Sequence, residues 1–82
     1  MDKINDLRHQ IDILDDELME LLNRRYDASE QIGEIKSTSK KAVLDSKRED
    51  YVLNKAKKYS HHKQLEIVYK TIMNESKNIQ RR

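Results

Sequence analysis

An all-α fold of three helices, one long and two shorter, is what this sequence predicts, and three observations predict it. The 82 residues include one Gly and no Pro, the two main turn residues on which sheets and loops rely. Charged residues make up 39% and apolar ones 35%, against about 25% and roughly 45–50% in an ordinary globular domain. The apolar residues nonetheless keep a register. Ile4, Leu7, Ile11, Leu14, Leu18 and Leu21, then Ala28, Ile32 and Ile35, fall on a line of alternating three and four spacings in which one position, Arg25, is not apolar, a heptad seam. A disordered chain would not hold that register over about five heptads.

The seam sets the first helix at about residues 3–37, roughly 50 Å at about 1.5 Å per residue. It should break at Ser37-Thr38-Ser39-Lys40-Lys41, a run with no apolar side chain and poor helix formers. A loop is expected over 38–45, with Ala42-Val43-Leu44 extended. Asp45-Ser46 supplies an N-cap, and Ser46 followed by Glu49 fits a capping box. The second helix is expected over about 46–59, its apolar face being Val52, Leu53, Ala56 and Tyr59. Ser60-His61-His62-Lys63 reads as a turn, and the third helix as about 64–80, carrying Leu65, Val68, Tyr69, Ile72, Met73 and Ile79. No internal repeat interrupts this, so residues 1–82 read as a single domain.

Several function classes fall away. No apolar run approaches the ~20 residues that span a bilayer, and Met1-Asp2-Lys3-Ile4-Asn5-Asp6 is not a signal peptide. There is no Cys, hence no disulfide framework and no thiolate chemistry. A soluble cytoplasmic protein without a membrane partner is expected. Seventeen basic residues face fifteen acidic ones, a net charge of +2, too evenly mixed to expect a nucleic-acid partner. A helix of roughly 50 Å is too long for a compact monomer of this size, whose radius of gyration should be about 12 Å. The uncovered part of its seam calls for a second chain, most simply a homodimer.

Polar residues on buried faces carry the functional information. Arg25 stands in the seam itself, and Lys36, eleven residues on, projects within about 20° of it. Ser29 and Gly33 lie between them; Gly33 is expected to leave room for a ligand, or else to be a tolerated helix glycine costing about 1 kcal/mol. Arg48 and Glu49 precede Val52 and Leu53 by one turn and so should point inward. Ser76 and Gln80 continue the apolar line of the third helix. Taken singly, each has a plain structural explanation. Arg25 would fix helix register, Glu49 would cap, Lys36 would answer the helix dipole, Ser76 would be a tolerated small residue and Gln80 would be solvated. His61-His62 mark a turn, and no further ligands point to a metal. Taken together, Arg25, Lys36 and Arg48 outnumber the inward acids Glu49 and Asp45. Buried cations without anions are costly, so the surplus suits an anionic small molecule, most naturally a di-acid.

The sequence resembles the all-helical chorismate mutases of the AroQ class over essentially its whole length. The resemblance rests on Leu7-Arg8 with Ile11 and Leu14-Asp15, on Leu21-Leu22-Asn23-Arg24-Arg25, on Ile32-Gly33-Glu34-Ile35-Lys36, on Val43-Leu44-Asp45-Ser46-Lys47-Arg48-Glu49, and on Ser76 with Gln80. It implies an intertwined antiparallel homodimer that binds chorismate and releases prephenate on the way to Phe and Tyr, with no cofactor and no metal. Position by position it implies that Arg8 reaches into the partner's pocket toward a substrate carboxylate. Arg25 would bind a carboxylate within its own chain, and Lys36 would contact a carboxylate and the ether oxygen. Asp45 and Glu49 would surround the ring hydroxyl, with Glu49 the acceptor. Arg48 would be a further pocket arginine, Ser76 a carboxylate contact and Gln80 a second donor to the ether oxygen.

Helix geometry bears on Arg8 separately. Arg8 and Arg25 are seventeen residues apart on one helix, ~25 Å along it and about 100° around it. They cannot hold one small molecule from the same chain. Three other readings compete with the mutase: an isochorismate-pyruvate lyase relative on the same scaffold, a non-enzymatic helical dimerisation module, and a basic helical binder of RNA or DNA. The Asp45/Arg48/Glu49 element favours the mutase over the lyase.

Overall fold

The computed structural model describes residues 2–39 and 45–82 and contains no strand among them. α1 is Lys3–Ser39, α2 is Ser46–Lys55, a 3-10 turn occupies Ala56–Lys58, and α3 is His62–Gln80. The extended stretch expected at 42–44 lies outside the described residues.

The element bounds differ from expectation for local reasons. α1 runs on to Ser39, because Ser and Thr cost only a few tenths of a kcal/mol each in a helix that is already propagating. α2 ends early. The Tyr59 N–H donates to Ala56 O at 3.0 Å and Tyr59 turns extended at φ −103°, ψ 147°, so its ring leaves the apolar face. α3 starts at His62 inside the expected turn, its first bond running from Leu65 N to His61 O at 3.0 Å. The cap of α2 is Asp45, not Ser46: Asp45 Oδ1 accepts from the Arg48 N–H at 3.0 Å. Glu49 therefore stands one position past the capping-box place, and its carboxylate is left for other work.

The fold is elongated. It measures 58 × 23 × 14 Å with a radius of gyration of 16.1 Å, against about 12 Å for a compact chain of this length. α3 packs on the C-terminal half of α1 and on α2. The apolar core is small, formed by Val52, Ala56, Ile72 and Met73.

α3 packs on a strip of α1 beside the heptad seam, with Arg25 of the seam turned toward it. Ser29 and Gly33 are buried there, and Arg25, Tyr26 and Lys36 are half-buried, while Ile32 and Ile35 on the seam stay exposed. Gly33 explains the choice. A Cβ on it would sit 2.7 Å from Gln80 Cα and 2.9 Å from Gln80 O. The two backbones meet at this point, and only a residue without a side chain fits between them. The space beside Gly33 thus holds the last turn of α3 rather than a ligand.

Candidate active site

A cavity of about 240 Å³ opens where the three helices converge. α1 lines it with Arg25, Ser29, Ile32 and Lys36, whose spacings of four, three and four place them on one face. The start of α2 contributes Asp45, Arg48, Glu49 and Val52, and α3 contributes Met73, Ser76, Lys77 and Gln80. Seven of the eight residues singled out in the sequence therefore line one hollow. Arg8 does not: it lies exposed on the N-terminal half of α1, about 25 Å along the helix from Arg25.

Arg25 is held on two sides. Its Nη1 donates to Ser76 Oγ at 2.7 Å, and its guanidinium lies 5.9 Å from the centroid of the Tyr69 ring, within cation–π range. The Ser76 hydroxyl donates in turn to Ile72 O at 2.9 Å, and the Ser29 hydroxyl to Arg25 O at 3.2 Å. Both hydroxyls spend their protons on backbone carbonyls. Neither is poised against a base, so neither is an activated nucleophile.

Arg48 departs from the inward orientation expected of it. It is exposed in this chain, at the cavity edge, with its guanidinium 5.2 Å from the Tyr51 ring centroid. Gln80, which alone would be a solvated terminal residue, is half-buried, and its Oε1 is fully shielded without a hydrogen-bond partner among the described residues. Burying such an acceptor unpaired costs about 1–3 kcal/mol.

Sequence reasoning missed Lys77. Its Nζ lies 3.6 Å from Glu49 Oε1, with the two side chains only 23% and 28% exposed. The signal was present, since Met73, Lys77 and Gln80 follow the four-then-three spacing of the buried stripe. With Lys77 counted, the lining holds four cations and two carboxylates. The surplus of two positive charges equals the charge of a dicarboxylate.

A second hollow of about 470 Å³ adjoins the first and shares Arg25, Arg48 and Val52 with it. Lys55, Lys58, Tyr59, Leu65 and Tyr69 complete its wall. No helix among the described residues is long and apolar enough to cross a membrane.

The chain is similar to known proteins. The sequence model of the family described as chorismate mutase type II matches residues 7–81. A bifunctional chorismate mutase/prephenate dehydratase from Aquifex aeolicus (strain VF5) is 36% identical over 55 residues, which is 67% of this chain. Those residues make up 15% of that relative's own length.

Proposed function

The chain belongs to the chorismate mutase type II family, and from that premise we propose that it rearranges chorismate to prephenate in the biosynthesis of Phe and Tyr. One observation carries the reading: a single cavity gathers Arg25, Lys36, Arg48 and Lys77 against only Asp45 and Glu49. A dianion of small-molecule size balances that lining.

The reaction is pericyclic. The ether carbon–oxygen bond breaks as a carbon–carbon bond forms, with no proton, electron or group exchanged with the protein. It requires no nucleophile, cofactor or metal, so catalysis reduces to two physical tasks. The first is to hold the substrate in its compact reactive conformer. Arg25, pinned by Ser76 and Tyr69, clamps one carboxylate in a fixed direction, and Arg48 and Lys36 supply further cationic contacts. The second is to stabilise the negative charge that grows on the ether oxygen. Lys36 and the NH₂ of the Gln80 amide are the donors for this. Asp45 and Glu49 take the ring hydroxyl, with Glu49 accepting.

The working unit in this proposal is a homodimer in the cytoplasm. Three features support the dimer: the 58 Å length of the chain, the exposure of Ile4, Leu7, Ile11, Leu14, Leu18 and Leu21 at 52–60% each, and the open hollow against Arg25 and Arg48. An antiparallel α1 laid along this one would cover the seam, fill the hollow and bring the partner subunit's Arg8 to a substrate carboxylate. The direct test is to mix the purified protein with chorismate and follow the loss of its ultraviolet absorbance, with Arg25→Ala and Lys36→Ala alongside. Turnover that collapses in both variants is expected. Undiminished chorismate, or full activity in both variants, would sink the proposal.

A further inference from the structure

Glu49 is a carboxylate in a cavity whose charged lining is mostly cationic. Because Asp45 caps α2, no capping role holds the Glu49 carboxylate. Three rotatable bonds let it swing, and Arg25, Lys36 and Arg48 line the same hollow. A carboxylate that collapsed onto either arginine would neutralise the charge the substrate needs, and it would no longer stand where a hydroxyl could find it. The only ion pair seen for Glu49 among the described residues is with Lys77, 3.6 Å away and largely shielded from water.

We propose that Lys77 is a positioning residue: it holds Glu49 against α3, away from the arginines, so that Glu49 stays available to the substrate's ring hydroxyl. This rests on the mutase reading above. The type of residue fits the task. An ammonium is a point charge that can engage one carboxylate oxygen and leave the other, whereas a guanidinium tends to take both. Its position fits too. Lys77 follows Ser76 directly and precedes Gln80 by one turn, so the pair ties the acceptor on α2 to the helix that carries two other site residues.

The test is a double-mutant cycle on the full chain with chorismate as substrate: wild type, Lys77→Met, Glu49→Gln and the double variant, with Lys70→Met on the exposed side of α3 as control and Lys77→Gln in case the Met variant folds poorly. Lys77→Met is expected to lower kcat/KM roughly fivefold, the scale of a partly shielded ion pair. In the Glu49→Gln background the same substitution is expected to cost nothing further, because its effect passes through Glu49. A chorismate analogue lacking the ring hydroxyl should react equally with wild type and Lys77→Met. A Lys77 substitution as active as wild type, or one with the same fold-loss in both backgrounds, would overturn the positioning role while leaving the mutase reading intact. A wild-type protein that leaves chorismate untouched would overturn both.

Discussion

Arg25 Nη1 reaches Ser76 Oγ at 2.7 Å, a hydrogen bond that joins α1 to α3 across fifty-one residues of chain and aims the guanidinium along the cavity. Ser76→Ala removes the acceptor but leaves the buried methylene in place. Losing a hydrogen bond to a charged group costs about 1.5–3 kcal/mol, or a factor of roughly 10–150. The bond is already present in the free protein, so the melting temperature should fall by several degrees, and KM for chorismate should rise because the guanidinium is no longer aimed. Arg25→Ala, which removes the charge itself, should lose more. Steady-state kinetics and thermal melts on the two variants check the order.

Gly33→Ala separates helix propensity from packing. Alanine gains about 1 kcal/mol over glycine in a helix interior. Its Cβ, however, would meet Gln80 backbone atoms at 2.7 and 2.9 Å, and backbone cannot swing aside as a side chain would. Overpacking of this kind costs about 1–3 kcal/mol, so the variant should be less stable despite the better propensity. It should also lose turnover, because relief of the clash moves Gln80. A denaturant melt and a kcat measurement test the two halves of this expectation.

Removal of a donor to the ether oxygen should show in kcat. Lys36→Ala and Gln80→Ala are each expected to lose about 10²–10³ in rate, the usual size of a missing oxyanion-type donor. An amide does not titrate, so the wild type should keep a broad pH optimum on the acid-to-neutral side. Gln80→Glu should convert it to an acid-dependent one. A carboxyl donates only while protonated, so activity would be present at low pH and fall as pH rises through the new group's pKa. A wild-type profile that drops steeply through a single ionisation near neutrality would contradict the role given to Gln80.

The exposed seam of α1 predicts assembly. Leu14 is 59% exposed in the single chain, and Leu14→Lys would place a charge where a second seam should pack. Sedimentation should show the wild type as a dimer and the variant shifted to monomer, with activity lost in proportion.

Composite sites predict complementation between two inactive proteins. Arg8→Ala and Arg25→Ala dimers should each be impaired, whereas mixed dimers carry one pocket with both arginines intact. Activity should reappear on subunit exchange, up to one site in two. No recovery despite proven exchange would show that Arg8 is not donated across the dimer.

Much of this was legible from the sequence because the signals are periodic. The seam from Ile4 to Ile35 needs only the 3.6-residue repeat to be read as a long helix. The same repeat, applied to Arg25 with Lys36 and to Ser76 with Gln80, aligned polar groups that share one cavity in the structure. Surplus cations on those faces already pointed to an anionic ligand. Lys77 followed the same repeat and escaped notice, because a lysine beside a buried stripe looks like ordinary solvent-facing charge until its partner on α2 is known.

Tertiary structure decided which face meets which. Periodicity ranks faces by hydrophobicity, and on that ranking the two shorter helices should have covered part of the seam of α1. Instead α3 lies on the strip of Ser29 and Gly33 beside the seam, because backbone contact at Gly33 permits the closest approach there and leaves Ile32 and Ile35 exposed. The same holds for Gly33 itself, whose missing side chain admits the backbone of Gln80 and not a ligand. It holds also for Glu49, which a capping box would have taken had Asp45 not supplied the cap. Sequence alone determined the elements and the chemistry they carry, since those depend on neighbours within a few residues. The pairings depend on shape complementarity between residues far apart in the chain, and only the folded arrangement expresses it.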